Sequence, residues 1–179
     1  GLSFMASLAV YKALLTFIED AHILRCSLKW PNDILYDNRK LAGILLEASK
    51  EGVVVGCGIN LANAPVLGNT NFRPVALDEL VMSQSVDSKA LACAVIRQIA
   101  ELYATWQTSG MQVILKEWRS YCDMEGQSLR IETVKDVITG TYVEIGSGGQ
   151  LIVRRADGGL VQIHAGDVEV LRGSDASGN

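Results

Sequence analysis

The chain has 179 residues, 49% of them hydrophobic, and a formal net charge of −4. That length can bury a sizeable core and hold one domain plus a small second one, and the acidic balance gives no electrostatic case for nucleic-acid binding. No apolar run approaches the ~18 residues of a membrane-spanning helix, and the N-terminus lacks the basic region and apolar core of a signal peptide.

In chain order, residues 3–20 predict a helix: Phe4, Leu8, Tyr11, Leu15 and Ile18 recur at spacings of three and four, and Ser3 can cap the start. Residues 24–60 carry short apolar runs bounded by turn signals and read as consecutive strands. Pro31 fixes its own φ and disposes Trp30 to an extended conformation, so the chain leaves the first strand in a defined direction at Asn32 and Asp33. Asp37-Asn38-Arg39 then turns it, and Lys40 opens a strand with Gly43 inside it. A glycine within a strand marks close approach of a backbone or a ligand. Gly56 and Gly58 repeat the device on one strand face, leaving Cys57 on the other, where core packing is expected.

Residues 61–84 contain Pro65, Gly68 and Pro74 and predict a surface connection with a short helical turn at 77–82. The spacing of Leu91, Val95, Ile99, Leu102 and Trp106 predicts a helix over 87–107, capped by Asp87 or Ser88 and stopped by Gly110. A shorter helix follows, with Ile114, Trp118 and Tyr121 on one face and its aromatic residues packing in the core. From Gly126 the pattern changes to short strands at QSLRIET, TYVEIG, QLIVRR, LVQIHA and VEVLR, which suggests a small barrel. Gly146 to Gly149 is a hairpin turn, because the Lys-Ser/Thr and helix that follow a phosphate-binding P-loop are absent. Gly173 to Asn179 is a polar tail expected to be disordered. Cys26, Cys57, Cys93 and Cys122 form no Cys-x-x-Cys and read as buried reduced thiols of a cytoplasmic protein. His22 and His164 stand too far apart in the sequence to suggest a zinc site, and no metal ligands are assigned.

The motifs Lys-Trp-Pro-Asn-Asp at 29–33, Arg-Lys-Leu-Ala-Gly-Ile-Leu at 39–45 and Gly-x-Gly-Ile-Asn at 56–60 closely resemble the central region of biotin protein ligases. The resemblance continues to about residue 172. It implies an α+β fold: a mixed β-sheet packed with helices, of the class II synthetase-like ligase type, over residues 1–125, then a small SH3-like β-barrel over 126–172 and the tail at 173–179. It also implies that biotin and ATP are joined as biotinoyl-5'-AMP. The acyl group then passes to a lysine on the biotin carboxyl carrier domain of a carboxylase.

Joining a carboxylate to AMP requires one anion to attack another, so cationic groups must neutralise the charge that gathers in the transition state. Lys40, at the head of a glycine-bearing strand, suits that role, and by resemblance it contacts the biotin carboxylate and the adenylate phosphate. Asp33 is the candidate to accept the acceptor lysine's proton or hold its amine; Lys40 and Asp33 are the expected catalytic pair. Gly43, Leu45, Gly56 and Gly58 are expected to line the biotin pocket with Lys40. Lys29, Asn32 and Asn60 are expected at the nucleotide, the first two near its phosphates and Mg²⁺, although Asn32-Asp33 also reads as a simple Asx turn.

In the resembling family a Gly-Arg-Gly-Arg-x-Gly loop closes over the adenylate ahead of the first helix. No such motif stands in this sequence, which implies the C-terminal part of a ligase with weak turnover and a sheet edge open to a second copy, as a homodimer. Two alternatives stay open: a binding fragment that retains biotin and the adenylate without turnover, and a lipoate or octanoate ligase of the same superfamily.

Overall fold

The computed structural model describes residues 1–64, 74–81 and 86–171. Pro65, Gly68, Met82 and the tail at 173–179 lie outside the described residues. Two compact units are present, Gly1–Tyr121 and Cys122–Asn179.

In the first unit, helix α1 spans Leu2–Leu15. It starts one residue before the expected position, so Ser3 is not its cap; the Gly1 carbonyl accepts from the Phe4 and Met5 amides. It also stops short of the expected end at 20. Thr16 turns its hydroxyl back to the Ala13 carbonyl at 2.7 Å, competing with the helical ladder, and Ile18 is buried beyond the helix end. Phe4 through Tyr11 are all buried, because α1 packs against strands on one side and against two later helices on the other. A one-turn helix α2, Asp20–Ile23, leads to the sheet.

Strands β1 (Cys26–Lys29), β2 (Asp33–Tyr36), β3 (Arg39–Ala48) and β4 (Val53–Ile59) form an antiparallel sheet in chain order. Between β2 and β3, Asp37 and Asn38 take φ of 48° and 59° across the Tyr36–Arg39 pair. That is a two-residue primed turn, which Asp and Asn tolerate because their short polar side chains suit the left-handed region. The Trp30–Pro31 peptide is cis. Helix α1 packs on β1, β2 and β3, with its largest contact on β3. Cys57 on the edge strand β4 is therefore exposed rather than buried, and so is Cys93, which lies between the inward-facing Leu91 and Val95 of the next helix.

Helix α3 (Ser88–Ser109) begins with the Asp87 side chain accepting from the Lys89 amide at 2.9 Å and ends at Gly110, φ 80°. Helix α4 (Met111–Ser120) buries Ile114, Leu115 and Trp118. The Trp118 ring stands edge-on to Phe4, centroids 4.9 Å apart, and its Nε1–H donates to Ser7 Oγ at 2.9 Å. Ser7 in turn donates to the Phe4 carbonyl, so this buried polar pair is satisfied and the tryptophan is a packing residue, as its spacing predicts.

The second unit holds strands β5 (Ser128–Glu132), β6 (Val137–Ile145), β7 (Leu151–Arg154), β8 (Leu160–Ile163) and β9 (Asp167–Leu171) in the antiparallel order β8-β7-β6-β5-β9. Leu129, Ile131, Ile145, Leu151 and Val153 form its core. Strand β6 starts earlier than the expected Thr141, because β5 from Glu132 back to Leu129 pairs with Val137 through Gly140. A Cβ at Gly140 would lie 2.7 Å from the Arg154 carbonyl, so glycine is what lets β7 pair closely. Among the described residues no helix is long and apolar enough to cross a membrane.

Candidate functional site

The strand register assembles the site. Lys29 pairs with Asp33, Asp33 with Gly43, and Gly43 with Gly58. Residues directly opposed on antiparallel strands point to the same side. These residues therefore form one row running across the whole sheet from β1 to β4. Leu45 pairs with Gly56 two positions on, which places that pair on the same face.

Lys40 reaches this face through an irregularity. In an unbroken strand it would point away from Gly43, three residues on. The register shifts between Ile34 and Leu35: Ile34 opposes Ala42 while Leu35 opposes Lys40, so Leu41 is the extra residue of a β-bulge. Leu41 and Ala42 are both buried, and Lys40 emerges on the side of the row. Its Nζ lies 2.6 Å from Asp33 Oδ1, while Lys29 Nζ lies 3.3 Å from Asp33 Oδ2. One carboxylate thus holds both ammonium groups, for a net local charge of about +1. The Lys29 and Asp33 side chains are 9% and 15% exposed, but that of Lys40 is 47% exposed. Lys40 is the member of the triad that faces a ligand arriving from solvent.

The glycines on this face divide into two kinds. A Cβ at Gly43 would lie 2.9 Å from Lys40 Cε and 3.2 Å from Asp33 Oδ1, so the ion pair rests on bare backbone. Among the described residues, a Cβ at Gly56 or at Gly58 would meet nothing closer than 3.6 Å and 3.7 Å respectively. No described neighbour requires glycine at either; they leave open floor beside the Leu45 side chain, which is 62% exposed.

Asn32 and Asn60 flank the row and direct their side-chain amides to backbone. Asn32 Nδ2 donates to the Ile44 carbonyl, and the Ile44 amide donates to the Asn32 carbonyl at 3.1 Å, closing the β1–β2 turn onto β3. Asn60 Nδ2 donates to the carbonyls of Lys40 and Val75, each at 3.1 Å. The Val75 amide also donates to the Lys40 carbonyl at 3.0 Å, so the backbone of the bulge is held from two sides.

Two residues that sequence reasoning missed complete this support. Arg39 Nη2 donates to the Pro74 carbonyl and to Glu79 Oε2, both at 3.0 Å, and Glu79 Oε1 accepts from the Ala76 amide at 2.9 Å. That backbone hydrogen bond, helped by Arg39, holds the Glu79 carboxyl below the usual carboxylate range. A glutamate three residues beyond Ala76 was the available signal, since that spacing is the reaching-back half of a helix cap. Among the described residues, no group of three or more His, Cys, Asp or Glu is arranged to hold a metal ion.

Residues 2–61 match the biotin/lipoate A/B protein ligase family. The chain is 34% identical over 164 residues to the biotin–[acetyl-CoA-carboxylase] ligase of Paracoccus denitrificans, covering 86% of this chain and 66% of that protein. It is 29% identical over 180 residues to the bifunctional ligase/repressor BirA of Bacillus subtilis, covering 94% of this chain and 52% of that one. The chain therefore spans about half to two thirds of the length of these curated relatives. Among solved structures it is similar to the biotin protein ligase from Aquifex aeolicus in complex with biotin and ATP, with a TM-score of 0.78 at 25% identity, covering 96% of this chain and 71% of that one.

Proposed function

The chain belongs to the biotin protein ligase family, and on that premise we propose that it carries out ATP-dependent biotinylation of a lysine on a carboxylase's biotin carboxyl carrier domain. The observation that carries this reading is the row Lys29–Asp33–Gly43–Gly58 with Lys40 brought onto it by the bulge. It sets a positive charge beside an open, partly apolar floor, which suits a small apolar acid with one carboxylate.

In the first step a biotin carboxylate oxygen attacks the α-phosphorus of ATP, and the bond to pyrophosphate breaks. Lys40, the exposed member of the triad, neutralises the carboxylate and the phosphate that it approaches, while Lys29 meets the nucleotide phosphates. Gly43, Leu45, Gly56 and Gly58 hold the biotin. Asn32 and Asn60 stand at the nucleotide end, where they fix the backbone around Ile44 and Lys40. In the second step an acceptor lysine, deprotonated and held by Asp33, attacks the acyl carbon and AMP leaves. The described site offers one carboxylate, already engaged by two lysines, and so no protein cage for Mg²⁺. Magnesium belongs to the reading as the ion that ATP brings on its own phosphates.

The second unit is read as the SH3-like domain, the location as cytoplasmic, and the β4 edge as a surface for a homodimer. The Paracoccus denitrificans relative and the Aquifex aeolicus structure are both named as biotin ligases, which disfavours lipoate or octanoate as the acyl group. The test is to incubate the chain with biotin, ATP, Mg²⁺ and a carrier domain, then detect labelled acceptor with streptavidin. Biotin-dependent labelling is expected; no labelling together with no biotin binding by calorimetry would overturn the reading.

A further inference from the structure

An acyl-adenylate is a mixed anhydride that any neutral amine can attack, and the lysines placed to stabilise it are amines themselves. The site therefore carries a hazard that its catalytic reading does not address. If Lys40 presented a lone pair beside the activated acyl group, its nitrogen would bond to the acyl carbon, the carbon–oxygen bond to AMP would break, and the amine's proton would pass to water. The product would be an amide on the enzyme's own lysine, with its cation lost.

The geometry points to Asp33 as the guard against this reaction, in addition to any part it plays toward the acceptor. This inference rests on the proposed ligase reading for the identity of the acylating species. Both carboxylate oxygens are engaged, one by Lys40 at 2.6 Å and the other by Lys29 at 3.3 Å. A nitrogen held as an ammonium ion against a carboxylate presents protons, not a lone pair. Asp33 is also the shared counter-ion that lets two cations occupy one site. Without it, Lys29 and Lys40 would repel, and Lys40 would lose the ion pair that holds its nitrogen 2.6 Å from Oδ1. Lys40, the more exposed of the two, would then be the self-acylation site. Gly43 belongs to the same device, since its missing Cβ is what lets the Lys40 stem lie across the strand to Asp33.

The isosteric variant Asp33→Asn tests this in two arms, after circular dichroism shows that it folds, with Asp33→Glu as a rescue that restores the carboxylate. The first arm is independent of ligase chemistry: brief treatment with an acetylating N-hydroxysuccinimide ester, with acetylation at Lys40 and at the exposed Lys50 compared by peptide mass spectrometry. Lys40 is expected to react more slowly than Lys50 in the native chain, to gain about tenfold in Asp33→Asn, and to return toward the native rate in Asp33→Glu. Equal reactivity of Lys40 in native and Asp33→Asn chains would overturn the proposal. In the second arm, synthetic biotinoyl-adenylate is added directly. A biotin adduct at Lys40 is expected in Asp33→Asn and not in the native chain, and it should vanish in the double variant with Lys40→Arg. Adenylate binding by calorimetry without that adduct would also overturn the proposal. Failure of adenylate to bind would instead count against the ligase reading, with the acetylation arm still deciding the role of Asp33.

Discussion

Two regions of the chain are rich in glycine, and they use it for opposite ends. On the β3–β4 face, Gly43, Gly56 and Gly58 sit inside strands with strand partners on each side or on one, and none needs a left-handed backbone. In the second unit, Gly149 and Gly158 have φ of 85° and 84° at hairpin tips, where a side chain would strain the backbone whatever the space around it. Composition makes the two regions look alike; conformation separates them. Glycine at a tip serves the chain's own path, whereas no described neighbour requires glycine at Gly56 or Gly58, which points to a ligand on that face.

The sharpest break in that comparison is expected at Lys40, the cation set over the glycine floor. Lys40→Ala should lower adenylate formation by on the order of 10²–10³, measured as ATP–pyrophosphate exchange, while the melting temperature moves little because this side chain is the exposed member of the triad. Near-normal exchange would make Lys40 a surface lysine. Next is Gly58→Val. A Cβ there finds ordinary space and valine favours strands, so stability should hold or rise while biotin affinity falls by roughly tenfold or more, about 1.4 kcal/mol or more. Parallel loss of both in calorimetry and melting would make Gly58 a packing glycine. Gly149→Ala should do the reverse, costing about 1–2 kcal/mol of stability through its left-handed backbone and leaving biotin affinity unchanged.

The smallest effect belongs to the Arg39–Glu79 support. Glu79 has a lowered carboxyl in the folded chain, so its contribution is present above the unfolded carboxylate value and is lost as pH falls through the folded one. Glu79→Gln should therefore reduce stability slightly near neutral pH and erase that difference in acid, as pH-dependent melting would show. A difference that grew toward low pH would have the wrong sign.

Much of this was legible in the sequence, for physical reasons that differ by element. The turn at Asp37-Asn38 and the helix from Ser88 announce themselves through local chemistry, a pair that tolerates positive φ and an aspartate cap. The glycine face follows from strict alternation along β4. What alternation hides is the bulge: Leu41 and Ala42 both demand burial, and satisfying both turns Lys40 to the face of Gly43. The end of α1 depended on a hydroxyl at Thr16, and the start of β6 on the pairing of Val137 to Gly140 with β5. The Arg39–Glu79 contact spans forty positions and has no local signature.

Biotin is expected on the Lys40–Gly43–Gly58 face and not at the glycines of the second unit. A ¹⁵N–¹H correlation spectrum recorded during titration with biotin tests this placement directly, because every glycine amide reports on its own surroundings. The amides of Gly43, Gly56 and Gly58 are expected to shift with a common saturation curve while those of Gly149 and Gly158 stay in place. Shifts confined to the second unit, or none on β3 and β4 at saturating biotin, would contradict it.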